Sequence, residues 1–265
     1  MNKYFMLMFP YLRKLSFFIL ISLIYISSAA QIVNVEKKRK QQNGFQATIG
    51  FDFNIKQSSS KILELKNIID LQYSYNAHSF ILLNDIKLLS VDKGSLVNNG
   101  FQHFRYNYTV KDSSFLTLEA FGQHQYNEQK LLQKRIVGGL GPRFRIINKE
   151  KIKWYTAPLL MYEYEDLDEV QLDTVIYDNA LLRLDAYTNF NFSVNDVISF
   201  NLIAYFQPVL SNFNDFRLSG ETGIRINITK HLSYNIGFSA DYDHDPPKEI
   251  QNTFWYFSNK LVLKF

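Results

Sequence analysis

Strict two-residue alternation runs through this chain over lengths that no helix tolerates. From Gly44, apolar Phe45, Ala47, Ile49, Phe51, Phe53 and Ile55 interleave with Gln46, Thr48, Gly50, Asp52, Asn54 and Lys56. Near the other end, Leu232, Tyr234, Ile236, Phe238, Ala240 and Tyr242 oppose Ser233, Asn235, Gly237, Ser239, Asp241 and Asp243. Successive side chains of an extended strand point to opposite faces, whereas a helix repeats near 3.6 residues. These stretches are therefore strands, each with one apolar and one polar face.

Followed along the chain, the alternation predicts about twelve strands: 44–56, 61–75, 79–90, 100–110, 115–126, 133–147, 152–164, 177–192, 197–208, 215–228, 232–243 and 252–265. Most are longer than the ~5–6 residues usual in globular sheets and match the ~9–11 that cross a bilayer obliquely. Tight turns at 76–78, 111–114, 148–151, 193–196 and 229–231 alternate with looser connections at 91–99, 165–176 and 244–251. That arrangement predicts an all-β, transmembrane, antiparallel up-and-down β-barrel with both termini on the short-turn side. Pro142, Pro158 and Pro208 fall inside predicted strands, where each lacks a ladder donor. A bulge or bend is expected where Pro142 and Pro158 lie nearly opposite across the 148–151 turn.

A soluble lipocalin-like barrel would turn its apolar face inward. Two features favour the opposite. The charged residues collect on the polar parity, which makes His103, Arg105, Glu119, Arg135, Arg143, Arg145, Glu163, Arg183, Asp185, Arg217, Glu221 and Arg225 lumen-facing candidates. On the apolar parity, large aromatics gather near both strand ends around an aliphatic middle, as two membrane interfaces select. Tyr73, Phe80 and Trp154 lie near the tight turns; Phe216, Tyr242 and Trp255 lie near the other ends.

The ends of the chain agree with export. Residues 1–30 open with Lys3, Arg13 and Lys14, run apolar from Leu15 to Ile26 and finish with small residues. This is the pattern of a signal peptide cut after Ala30. A polar tail, 31–43, precedes a barrel domain at 44–265. Removing the three leader cations from 29 basic residues against 25 acidic ones leaves a net charge of +1, which gives no case for nucleic acid. There is no cysteine, hence no disulfide and no lipoprotein anchor. On the last strand Trp255, Phe257, Leu261, Leu263 and Phe265 share one parity, like the C-terminal signature by which bacterial outer-membrane barrels are recognised by the assembly machinery.

The segments GFQHFRYNYTV, LEAFGQHQYN and RIVGGLGPRFRI carry Arg105, Tyr106, Tyr108, Glu119, Phe121, Gln123, Gln125, Gly139, Gly141, Pro142 and Arg143. Over Gly100–Ile146 the chain resembles the bacterial domains of unknown function numbered four-eight-one, related to salt-induced outer-membrane proteins. The resemblance implies an outer-membrane barrel in a Gram-negative cell envelope and supplies no ligand or catalytic residues.

Catalytic chemistry is scarcely represented. The chain has no G-x-S-x-G and no two His spaced as metal ligands. The acidic run Glu163, Glu165, Asp166, Asp168, Glu169 and Asp173 lacks the spacing and Gly of a calcium loop. We expect no enzyme, no cofactor and no metal. Expected partners are outer-membrane lipid, lipopolysaccharide, the barrel-assembly machinery and, in a conducting lumen, small solutes. The function expected is a small passive pore or a structural envelope protein with a charged lumen; the alternatives are a ligand-binding or adhesion protein and, after that, a lipid-acting outer-membrane enzyme.

Overall fold

The computed structural model describes residues 43–57, 60–92, 94–110, 115–167, 180–246 and 250–263. The leader predicted at 1–30, nearly all of the tail at 31–43, and Phe265 lie outside the described residues, as do Asp168, Glu169 and Asp173.

Twelve antiparallel strands follow one another as a meander: β1 (Gly44–Gln57), β2 (Lys61–Tyr75), β3 (His78–Val91), β4 (Gly94–Thr109), β5 (Leu116–Asn127), β6 (Leu132–Asn148), β7 (Ile152–Leu167), β8 (Ala180–Ser193), β9 (Ile198–Val209), β10 (Asn212–Asn227), β11 (Leu232–Asp243) and β12 (Thr253–Leu263). Each strand pairs with its sequence neighbours in the order β1 to β12. Among the described residues β1 pairs only with β2 and β12 only with β11. The sheet is nevertheless rolled. A short 3-10 turn between β5 and β6, Glu128–Lys130, reaches across to the last two strands. Its Lys130 Nζ lies 3.6 Å from Asp241 on β11 and 4.3 Å from the ring centre of Phe254 on β12.

The expected loose connection at 91–99 is corrected. Strands β3 and β4 run on to Val91 and from Gly94, and 92–93 alone join them. The polar residues Asn98 and Asn99 lie in the ladder opposite Leu88 and Lys87, and a register shift near Leu89 disturbs the alternation. Asp92 adopts a positive φ of 55°, which its short polar side chain tolerates. That side chain accepts the Lys61 N–H at 2.9 Å while the Asp92 N–H donates to Lys61 O, so the turn is tied to β2. Likewise β10 begins at Asn212, three residues earlier than the alternation suggests.

The prolines open ladders without changing the overall register. Between β6 and β7, Leu140 pairs with Leu160 and Phe144 with Thr156, and the pairs between them, at Pro142 and Pro158, are missing. The true bulge comes two residues further on, between Arg145 and Ile147. Beside Pro208 the β9–β10 register shifts between Asn212 and Phe216. The glycines of β6 let backbones approach closely here. A Cβ on Gly141 would sit 2.6 Å from Pro158 O, and one on Gly139 would sit 2.6 Å from the Phe121 ring.

Parity divides the side chains into two populations. The outer face exposes Leu82, Ile136, Leu140 and Leu160 away from the strand ends, and Leu118 and Leu182 near them. Aromatics flank them. Near the short turns His78 stacks with Tyr106 and Phe80 tilts against it at 5.0 Å; near the other ends Phe216 packs with Phe206, Tyr242 and His244. An apolar surface this extensive suits lipid rather than water. The inner face holds a packed core from β5 to β9, formed by Phe121, Val137, Ala157, Leu159, Met161, Tyr187, Ile203 and Tyr205.

Candidate functional site

Among the described residues two ion clusters stand in the interior, with the apolar core packed among them. In the first, Glu119 on β5 is the centre. Arg105 Nη1 on β4 donates to its Oε2 at 3.1 Å, Tyr187 Oη on β8 donates to the same oxygen at 2.8 Å, and Arg143 Nε stands 3.7 Å from Oε1. Arg105 also lies over the Phe121 ring and Arg143 over Tyr155, at 5.1 and 3.9 Å, so both guanidiniums exchange water for an aromatic face. Arg105 Nε donates to His103 Nε2 at 3.3 Å. With that nitrogen accepting, the His103 proton sits on Nδ1 and points at Gln123 Oε1, 2.9 Å away.

In the second cluster three arginines converge on one carboxylate. Arg135 Nε donates to Glu163 Oε1 at 2.6 Å, Arg217 Nη1 to the same oxygen at 2.7 Å, and Arg183 Nε to Oε2 at 2.5 Å. Glu165 takes a two-pronged contact from Arg217 at 2.7 and 2.9 Å, and Asp215 and Asp243 complete the set against Arg183 and Arg217. Four carboxylates face three guanidiniums, so the desolvated charges are paired.

The partners differ from those adjacency along a strand suggests. Arg183 does not pair with Asp185, two residues on, nor Arg217 with Glu221. Side chains at i and i+2 stand parallel, roughly 6.6 Å apart, while groups across a ladder or across the interior point at one another. Asp185, fully buried, instead accepts from Gln207 Nε2 at 2.8 Å. Glu221 and Arg145 are half-buried on the inner face, and Arg225 is exposed towards the interior, its Nε donating to Asn235 at 3.0 Å. On β12, Trp255, Phe257, Leu261 and Leu263 are exposed on the outer face.

Glu165, Asp215, Asp243 and Lys130 join these interior contacts although they were not among the lumen-facing candidates. Asp243 was within reach: the tight turn fixes Asn227 opposite Ser233, and counting back places Arg217 opposite Asp243. Lys130 sits in a turn, where parity carries no information. It is 9% exposed, and burial pushes its ammonium below the ordinary lysine pKa, opposed by Asp241. Glu163 and Glu165, the start of the acidic run, are taken up by arginines. Among the described residues no group of His, Asp and Glu is arranged to hold a metal ion.

The first cluster and its surroundings fall on the segments that carry the family resemblance, through Arg105, Glu119, Phe121, Gln123, Gly139, Gly141 and Arg143. No curated protein sequence is recognisably similar to the chain. Three solved structures share its general form: the NanC porin (10% identity, 82% of this chain and 100% of that one, TM-score 0.44), a bacterial polysaccharide outer membrane secretin (9%, 85% and 87%, 0.45) and OccK11 (OpdR) of Pseudomonas aeruginosa (9%, 82% and 85%, 0.34). At these values the strand order and register of this chain carry the fold assignment themselves. Residues 39–265 match the model of the family described as protein of unknown function, DUF481, and the chain belongs to that family.

Proposed function

We propose that this protein is an outer-membrane β-barrel of the cell envelope whose interior is closed at mid-height by its own side chains, acting as a structural or solute-holding element rather than an open passive pore. One observation carries the reading. Leu159 and Met161 point inward yet are 0% exposed. An open, water-filled bore would wet them. They are covered by Phe121, Val137, Tyr187, Ile203 and Tyr205, and the two ion clusters lock the surrounding wall. Barrels of ~8 strands are filled by side chains and those of ~16–18 leave a channel; twelve strands with large inward residues fall on the filled side.

The outer-membrane location is supported by the exposed apolar band with its aromatic borders and by the exportable leader. The test is single-channel recording of the refolded mature protein in a planar bilayer, with folding checked by heat-modifiable gel mobility. The wild type is expected to stay silent, and the double variant Leu159→Ala with Met161→Ala to show discrete openings. Regular openings of the folded wild type would overturn the closed interior.

A further inference from the structure

Four polar side chains form a hydrogen-bonded ribbon across the outer face of β2 to β5. His124 Nδ1 on β5 donates to Gln102 Oε1 on β4 at 2.7 Å. Gln102 Nε2 donates to Asn84 Oδ1 on β3 at 3.1 Å, and Asn84 Nδ2 donates to Asn67 Oδ1 on β2 at 2.6 Å. An amide oxygen only accepts, so the His124 proton sits on Nδ1 and Nε2 is left as an acceptor. The ladders carry the ribbon from strand to strand: His124 stands opposite Gln102, and Gln102 opposite Asn84. Asn67 lies two residues from Ile69, the ladder partner of Asn84.

The ribbon lies on the parity that faces lipid. The residues next to it in the chain, Leu83, His103, Gln123 and Gln125, are buried in the interior. Its ladder neighbours at either end, Phe51 on β1 and Ile136 on β6, are exposed, as are Leu82 and Phe104 beside it. The three amides stand near the middle of β2, β3 and β4, away from the aromatic borders. At the middle of β8 and β9 the same face carries Leu184, Ala186, Leu202 and Ala204. Hydrocarbon offers an amide no hydrogen-bond partner, and lipid headgroups lie at the borders rather than at mid-strand. The ribbon's own bonds use one N–H of Asn84 and one of Gln102, while Asn67 contributes its oxygen.

We infer that this ribbon is the centre of an interface between two copies of the chain lying side by side in the membrane, β2–β5 of one against β2–β5 of the other. The inference rests on the membrane reading proposed above. A two-fold axis along the membrane normal keeps both copies inserted the same way and sets one patch against itself. The ribbon suits that operation. Its donors all point from β5 towards β2, and the axis reverses this sense in the second copy. The central amides of Asn84 and Gln102 then meet groups that both donate and accept, the kind of bond by which polar side chains join membrane segments.

The chain has no cysteine, so one introduced thiol reports the contact. Phe104→Cys places it beside the ribbon, and Leu218→Cys places it on the outer face of β10. In vesicles holding the refolded mature protein, oxidation should give a disulfide dimer with Phe104→Cys and at least about tenfold less with Leu218→Cys. Adding Asn84→Leu and Gln102→Leu should weaken association by about tenfold, since lipid tolerates leucine there and the barrel keeps its heat-modifiable mobility. Sedimentation in micelles, which needs no thiol, should give a dimer for the wild type and a monomer for the leucine variant. A monomeric wild type, equal cross-linking at the two thiols, or a dimer indifferent to the leucines would overturn the interface. A monomer carrying a bound lipid that the leucine variant loses would overturn the second copy as the occupant. Release of the folded wild type from vesicles by alkaline carbonate would overturn the membrane reading itself, whereas a retained monomer overturns the dimer alone.

Discussion

Tyr187 and Glu119 stand three strands apart in the sheet, yet the phenol of one donates to the carboxylate of the other across the interior at 2.8 Å. The contact fixes the curvature of the wall between β5 and β8. Tyr187→Phe keeps the ring in the apolar core and removes the hydroxyl that makes this bond. Glu119 retains Arg105, so the loss should be about 1.5 kcal/mol, the low end for hydrogen bonds to charged groups. Urea unfolding in micelles, followed by intrinsic fluorescence, reads it.

Glu163 is the more dangerous residue to change. Glu163→Gln leaves Arg135, Arg183 and Arg217 buried around a neutral amide, and breaking one side of a buried ion cluster costs about 3–5 kcal/mol. The exposed Glu150→Gln in the β6–β7 turn should shift stability by no more than about 0.5 kcal/mol. Equal effects of the two in the same unfolding assay would show that the Glu163 cluster is not a stabilising centre.

Two glycines give opposite expectations. A Cβ at Gly122 meets nothing within 4 Å, so Gly122→Ala should be neutral. At Gly141 the new atom meets backbone that cannot swing aside, and overpacking of this kind costs about 1–3 kcal/mol. Thermal melting of the heat-modifiable species ranks the two variants.

Lys130 gives the protein an alkaline pH dependence. Burial holds its folded-state pKa below the ordinary value of 10.5. Between the lowered pKa and 10.5 the unfolded chain binds the extra proton, so stability from this group rises with pH across that window. Lys130→Met should abolish this slope. Unfolding midpoints measured in steps up to pH 10.5 for both proteins decide it, and parallel curves would remove Lys130 as the source.

The twelve strands and the face each side chain takes were legible because period two is local: each residue needs only its neighbours to declare a side. The inward placement of Arg105, Glu119 and Glu163 follows from that alone. What stayed hidden is azimuth. Parity says that Arg183 and Asp215 look inward, and only the radius and stagger of the rolled sheet bring them within 3.2 Å. The turn at 92–93 was obscured because Asn98 and Asn99 resemble loop residues, yet they extend β4 beyond the apolar band.

The meander has a kinetic consequence. Among the described residues its eleven ladders all join strands adjacent in the chain, across turns as short as the two residues 76–77 and 210–211. In none of these ladders does a strand search for a distant partner, so their loop-closure entropy, which slows many β-proteins, is divided into small, local instalments. The wall can lengthen hairpin by hairpin, each new pair templated by the edge before it. Only the contacts across the interior, such as Tyr187 with Glu119 and Lys130 with Asp241, must wait until enough of the sheet has formed to curl.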